Sequence, residues 1–120
     1  MTSQPSTPPA LSITIVHHSN RELLRACLAS IYGRDQGVDF ETILVDNVSR
    51  DGSTAMMRAE FPEVHLIENA ERKGFGANHN QALRLARGRF VLLLNDDTIV
   101  KPNALRALCE YLEAHPEVGA

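Results

Sequence analysis

Five apolar residues at positions 90–94 are followed directly by Asn95, Asp96 and Asp97. A short, uninterrupted apolar run predicts a strand that is buried on both faces, as in the parallel sheets of α/β proteins. Ligands of such sheets bind beyond the carboxyl ends of the strands, where the two acids would lie. The two acids suit a divalent cation held between protein oxygens and a phosphate. The alternative is a helix-capping acid within a turn.

Four strand-like segments alternate with four helix-like segments along the chain. The strands are predicted at residues 11–17, 40–45, 64–67 and 90–94. The first helix follows Ser19-Asn20-Arg21-Glu22, a capping-box pattern, and the second opens at Asp51-Gly52-Ser53 and reaches about Phe61. The third runs from the Gly-rich turn at 73–76 to a closing Gly88, and the fourth begins at Pro102 and ends at His115. This order predicts right-handed βαβ units and a mainly parallel sheet.

Composition limits the function classes. The 120 residues are 43% hydrophobic and 22% charged, which fits a single small domain over residues 11–120. A net charge of −3 without a basic run gives no nucleic-acid surface. Residues 1–10, rich in Ser, Thr and Pro, are expected to form a disordered tail without a signal peptide or membrane span, which indicates a cytoplasmic protein. Cys27 and Cys109 are expected to be buried, reduced and inert.

Polar clusters follow all four predicted strands, and parallel strands would bring these clusters to one edge of the sheet. The clusters lie at residues 17–20, 46–52, 69–80 and 95–97. Together they hold a carboxylate that could accept from a base N–H, a Gly-rich turn with Lys and Arg, and an acid pair for a cation. Such a set suits a nucleoside diphosphate with its metal.

Three individual motifs also allow other interpretations. Gly74-Phe75-Gly76 begins like a dinucleotide fingerprint, but His79 occupies the third glycine's place and the turn follows the third strand, which argues against NAD. His17 and His18 are neighbours on a strand and point to opposite faces, so sharing one metal ion is disfavoured and one of them is expected to face the ligand. Asp51 is expected to cap a helix.

The longest motifs carry a family resemblance. They read ILVDNVSRDGS at residues 43–53, NAERKGFGANHN at 69–80 and RGRFVLLLNDDT at 87–98. In this order and spacing they resemble the V-D-N-x-S-x-D-G-S signature, the N-x-G-F-x-x-x-x-N turn and the D-x-D-type metal strand of family 2 glycosyltransferases. The resemblance is strongest to the rhamnosyltransferase-like branch, and it implies the N-terminal half of a GT-A fold over residues 11–120.

The resemblance implies an inverting transfer of a sugar from a dTDP- or UDP-sugar to a glycan or lipid-linked acceptor in cell-surface polysaccharide synthesis. Asp46 would accept from the pyrimidine base, the backbone at Val16 and His17 would line the base pocket, and Lys73 would lie near the diphosphate. Asp97 would bind Mg²⁺ or Mn²⁺. The full implied donor set is Val16, His17, Asp46, Asn47, Lys73, Gly74, Asn78, Asn80 and Asp96.

The chain also departs from the family pattern. His18 replaces the aromatic residue near the end of the first strand, and Asn95 replaces the first acid of the metal motif, which makes Asp97 the principal ligand. The family's general base is expected beyond Ala120, so the alternative is a truncated or pseudo-enzyme module that binds nucleotide without catalysis. A third hypothesis is an α/β domain whose polar edge binds a partner. Peripheral attachment to the inner face of the plasma membrane and self-association through an unpaired sheet edge are further expectations.

Overall fold

The computed structural model describes residues 7–118, in which strands and helices alternate as the sequence predicts. The strands are β1 (Leu11–His17), β2 (Phe40–Asp46), β3 (His65–Glu68) and β4 (Phe90–Asn95). The helices are α1 (Arg21–Tyr32), α2 (Ser53–Glu60), α3 (Phe75–Leu85) and α4 (Ala104–Ala114). The strands form one four-stranded sheet in the order β3-β2-β1-β4, and every pairing is parallel. The predicted α/β class with a parallel sheet is confirmed.

The strand register brings the polar clusters to the same edge. His17, the last residue of β1, is level with Asp46, the last residue of β2, and Val16 is level with Asn95 on β4. Beyond the strands, the Asn47 amide donates to the His17 carbonyl over 2.7 Å, and the Asn69 amide donates to the Asp46 carbonyl over 3.0 Å. Backbone hydrogen bonds therefore hold the loops that carry the candidate site residues against the ends of the strands.

The two faces of the sheet have cores of different size. Helices α1, α2 and α4 contribute to a large apolar cluster with β1 on one face, and α3 covers a smaller cluster of Ile43, Val45 and Ala82 on the other. Cys27 and Cys109 lie buried in the large cluster as free thiols. Burial raises the pKa of the Cys27 thiol to about 11, so this cysteine is protonated and unreactive at neutral pH.

The prediction that the last strand is buried on both faces is wrong. Residues of β4 alternate between half-buried and exposed, with Val91 36% and Leu93 49% exposed. The physical reason is position, because β4 is an edge strand and α3 packs on β1 and β2 instead. A run of five apolar residues therefore does not show here that a strand is buried on both faces. Self-association through this edge stays a prediction.

Two helix starts differ from the sequence-based expectation. Asn20, rather than Ser19, caps α1, because Asn20 adopts a left-handed backbone (φ 76°) and its side chain accepts from the Leu23 amide. Helix α4 begins at Ala104, after Asn103 has turned the chain with φ 65°, so Pro102 lies before the helix and not in its first turn. A left-handed turn at Asn precedes both helices, and at α1 the Asn side-chain oxygen also accepts from the first turn.

Helix α3 also ends earlier than predicted. Its last residue is Leu85, and Gly88 does not cap it. A Cβ at Gly88 would lie 2.5 Å from the Ser12 amide nitrogen and 2.6 Å from Ser12 Oγ. The Gly88 amide donates to that same hydroxyl over 2.7 Å. Glycine is required here because the chain entering β4 passes directly against β1.

The predicted tail, residues 1–10, falls mainly outside the described residues. Of its described part, Pro9 accepts from the Arg89 amide and Ala10 accepts from the Phe90 amide, so these two residues are hydrogen bonded to the start of β4. Among the helices that the structure describes, none has both the length and the apolar character needed to cross a bilayer.

Candidate nucleotide and metal site

The carboxylate of Asp46 is buried, and one of its two oxygens has no hydrogen-bond partner among the described residues. The residue is 4% exposed at the end of β2, and its Oδ2 accepts from the Ser49 amide over 3.1 Å. Between them, Val48 takes a left-handed backbone (φ 59°), which is rare for a β-branched residue. Within the described part of the chain, Asp46 Oδ1 is buried and has no hydrogen-bond partner. A buried acceptor in this state costs about 1–3 kcal/mol, so Oδ1 suits a donor N–H supplied by a ligand.

Three asparagines fix the turn that precedes α3. Asn47 both donates to the Lys73 carbonyl (3.1 Å) and accepts from the Lys73 amide (2.9 Å). Asn78 donates to the same carbonyl (3.1 Å) and accepts from Asn69 (2.7 Å). Asn78 is only 1% exposed, so any effect it has on a ligand acts through the turn. The network leaves the Lys73 side chain exposed beside the start of α3.

The start of α3 is open and rich in glycine. Gly74 occupies the N-cap position without a side-chain hydrogen bond, and Gly76 lies in the first turn. A Cβ built at Gly74 or Gly76 would meet nothing within 4 Å, and neither residue has a positive φ. The chain's own packing therefore does not demand glycine at either position. Amide groups at such a helix start suit an anion, and small residues let it approach. Asn80 lies exposed further along α3.

His17 is fully buried and uses both ring nitrogens. Nδ1 lies 2.8 Å from Asp96 Oδ2, and Nε2 lies 2.7 Å from Ser53 Oγ at the start of α2. The Ser53 amide and hydroxyl both donate to Asp51 Oδ1. Burial acts to raise the pKa of Asp51, but the hydrogen bonds from Ser53 hold it below its usual value. Asp51 thus accepts from the first residue of α2, but the predicted N-cap position belongs to Gly52 and not to Asp51.

Sequence reasoning missed the link between His17, Ser53 and Asp96. The partners of His17 are 36 and 79 residues away in the chain, and no spacing rule connects them. Only the parallel register of β1 with β4, together with the loop that brings α2 back, places the three side chains in contact. Val16, the preceding residue, is half-buried and packs on the α3 side of the sheet.

Of the two adjacent histidines, His18 is the one that faces open space. It is half-buried, and its Nδ1 donates to the Asn47 carbonyl over 2.9 Å, while its Nε2 contacts the Arg72 guanidinium. A cleft of about 280 Å³ lies beside it, lined by His18, Ser19, Val48, Arg50, Asp51 and Arg72. The opposite orientation of neighbouring strand side chains separates His18 from the buried His17.

Asp97 is the carboxylate best placed for a cation. It is exposed, and among residues 7–118 nothing forms a hydrogen bond or ion pair with its side chain. The described residues contain no group of three or more His, Cys, Asp or Glu side chains that could hold an ion. A cation held only by protein is therefore not supported. The donor set instead fits Mg²⁺ or Mn²⁺ bound by one or two carboxylates and the phosphates of a ligand.

Comparison with protein families gives a match over nearly the whole chain. Residues 12–120 match the family model described as glycosyl transferase family 2. The chain belongs to glycosyl transferase family 2. A curated relative, the succinoglycan biosynthesis protein ExoO of Rhizobium meliloti, is 30% identical over 108 residues, which cover 89% of this chain and 30% of ExoO.

Solved structures of GT-A glycosyltransferases share the fold of this family 2 chain. The mannosyltransferase PcManGT from Pyrobaculum calidifontis, in complex with GDP-Man and Mn²⁺, superposes with a TM-score of 0.74 at 24% identity, over 95% of this chain and 34% of that one. S. aureus TarS in complex with UDP gives a TM-score of 0.79 at 21% identity, over 88% of this chain and 32% of that one. The chain spans about a third of the length of these proteins.

Proposed function

We propose that this chain binds the nucleotide-diphosphate-sugar donor of an inverting, metal-dependent glycosyltransferase. The donor is a UDP- or dTDP-sugar, and the acceptor is a glycan or a lipid-linked sugar of a cell-surface polysaccharide. Membership of family 2 supports the glycosyltransferase role. The complexes of its structural neighbours with GDP-Man, Mn²⁺ and UDP support a nucleotide donor and a divalent cation.

The observation that carries the proposal is the unpaired buried oxygen of Asp46. A pyrimidine such as uracil presents one ring N–H beside two carbonyls, and a buried carboxylate oxygen that lacks a donor is a matched acceptor for it. Because Ser49 already holds Oδ2, the orientation of Oδ1 is set before the ligand arrives. Asp46 therefore selects a base with a ring N–H.

The remaining contacts follow from the sheet edge. The diphosphate lies at the start of α3, where backbone amides, the open positions at Gly74 and Gly76 and the exposed Lys73 favour an anion. Asp97 and Asp96 then face the diphosphate from the end of β4. When bound there, the cation supplies stabilisation of the negative charge that develops on the departing nucleoside diphosphate. We further propose that the general base and the acceptor surface belong to the part of the longer relatives that this chain does not span.

Isothermal titration calorimetry of the full chain tests this proposal. UDP or dTDP should bind more tightly with Mn²⁺ than with EDTA, because the cation is shared between Asp97 and the phosphates. The Asp97→Asn variant should lose the gain from Mn²⁺ but keep the metal-free affinity. Asp46→Asn should weaken binding under both conditions, because the amide loses the charge that a ring N–H contacts.

A matched control uses the same chemical change at the other end of the sheet. Asp39 is exposed next to the start of β2, and Asp39→Asn should bind UDP like the wild-type chain. Circular dichroism should show each variant folded. Equal UDP affinity in Mn²⁺ and in EDTA for the folded wild-type chain would overturn the donor-site proposal. Tighter binding of GDP than of UDP would overturn the pyrimidine assignment alone.

A further inference from the structure

The buried ring of His17 connects the two sides of the candidate site. His17 lies on β1, between β2 and β4, and is 0% exposed. One ring nitrogen lies against Asp96, after β4, and the other against Ser53, at the start of α2. Burying an imidazole is unfavourable unless its nitrogens are hydrogen bonded, so these two contacts determine how the ring is held.

The direction of the hydrogen bond to Asp96 follows from chemistry. An ionised carboxylate only accepts, so Nδ1 of His17 carries a hydrogen and donates it to Asp96 Oδ2. At the other side of the ring, Ser53 is itself fixed by its amide, which donates to Asp51 over 3.1 Å. The ring therefore cannot turn without losing both contacts. The contact with Ser53 on α2 fixes the orientation of the ring, and the ring in turn holds Asp96 Oδ2 in place.

Asp96 depends on this single contact. Its side chain is 29% exposed, and among the described residues His17 is its one hydrogen-bond partner. The neighbouring Asp97 has none, so within the described residues no other side-chain hydrogen bond or ion pair restrains the two acids after β4. A carboxylate pair at the exposed end of an edge strand would otherwise sample several rotamers, at a cost in entropy when a ligand orders it.

We propose that His17 is a positioning residue, which holds Asp96 so that Asp96 and Asp97 present one fixed arrangement to the metal-bound diphosphate. The inference rests on the proposed donor function and deepens it. The side chain of His17 does not touch the ligand, since it is fully buried. Partners that orient metal-site carboxylates from behind typically change metal affinity about 10–100-fold when they are removed. The predicted effect is therefore on the metal-dependent part of nucleotide binding.

Two amide substitutions, each of which places its NH₂ group at the position of one ring nitrogen, separate the two contacts of His17. The side-chain amide of His17→Asn reaches the position of Nδ1 and keeps a donor for Asp96, but loses Ser53. The longer His17→Gln reaches the position of Nε2 and keeps Ser53, but loses Asp96. Each variant removes one hydrogen bond from the same buried site, so urea denaturation should give similar losses of stability.

Calorimetry with UDP, in Mn²⁺ and in EDTA, then gives the decisive comparison. Affinity in Mn²⁺ should stay near wild type in His17→Asn and fall about tenfold or more in His17→Gln. Affinity in EDTA should be the same in both variants. A purely structural role predicts instead that both variants bind alike under each condition, and that result would overturn the inference while wild-type binding still supports the donor site. Absence of metal-linked binding in the wild type would overturn both.

A measurement on the unsubstituted chain covers the case in which neither variant folds. In ¹⁵N NMR of the wild-type protein, UDP with diamagnetic Mg²⁺ should shift the ring resonances of His17, because Asp96 responds to the cation. UDP in EDTA should leave them in place. Ring resonances that stay unmoved by UDP and Mg²⁺, while amides at the start of α3 shift, would contradict a link between His17 and the diphosphate.

Discussion

Substituting Gly76 with alanine should stabilise the fold while weakening nucleotide binding. Gly76 lies in the first turn of α3, and a Cβ there would meet nothing within 4 Å. Alanine is favoured over glycine inside a helix by about 0.8–1 kcal/mol, and by less in a first turn, so a gain of about 0.5 kcal/mol is expected. Because about 1 kcal/mol changes Tm by about 4 °C in a domain of this size, Tm should rise by about 2 °C.

The same methyl group should hinder a diphosphate at the start of α3. If the anion contacts the amides of this turn, a Cβ in the open space displaces it and lengthens those hydrogen bonds. Charge-assisted hydrogen bonds contribute about 1.5–3 kcal/mol each, so weakening one should reduce UDP affinity about tenfold. Stability and affinity should therefore change in opposite directions.

Differential scanning fluorimetry and calorimetry with UDP and Mn²⁺ measure the two effects on one protein sample. A UDP affinity equal to that of the wild-type chain would refute the placement of the diphosphate at α3. A fall in Tm would refute the open space around Gly76. The combination of higher Tm and lower affinity is difficult to obtain from a general disturbance of the fold, because such a disturbance lowers both.

Two further predictions concern stability. Gly88→Ala should lower the free energy of unfolding, measured in urea, by about 2–3 kcal/mol, because its Cβ would overlap the Ser12 backbone and break the hydrogen bond from the Gly88 amide to Ser12 Oγ. A loss below about 0.5 kcal/mol would contradict this packing. Burial lowers the pKa of His79, which is 6% exposed, below 6.5. The unfolded chain therefore binds the proton more readily, so the stability from neutral His79 is present above pH 6.5 and falls as the pH drops below it. His79→Gln should flatten urea-measured stability between about pH 7 and pH 5, and an unchanged slope would contradict the assignment.

Local sequence signals were sufficient for the order and type of the elements. Apolar runs, helical spacing and polar clusters after each strand depend on neighbours in the chain, and the parallel sheet follows from their alternation. The exposed face of β4 could not be derived in this way. An edge strand and a central strand can share the same apolar run, and only the strand order separates them.

The candidate site could likewise be predicted only in part from local sequence signals. Asp46, Lys73 and Asp97 could be proposed from motifs, because each lies directly after a strand or in a Gly-rich turn. The roles of Asn47 and Asn78 in holding that turn, and of His17 in contacting Asp96, depend on side chains that meet only after the sheet has formed. Tertiary hydrogen bonds of this kind join residues far apart in the chain, so no regular spacing in the sequence reveals them.

Paramagnetic NMR with Mn²⁺ tests the central claim most directly, because it locates the cation on the wild-type chain. With UDP present, substoichiometric Mn²⁺ should broaden the backbone amides of residues 95–98 and 74–76 first. Without UDP the broadening of both segments should be much weaker, since the phosphates supply part of the coordination. Broadening of the same strength with and without UDP, or centred away from these two segments, would contradict a donor site built from Asp97 and the start of α3.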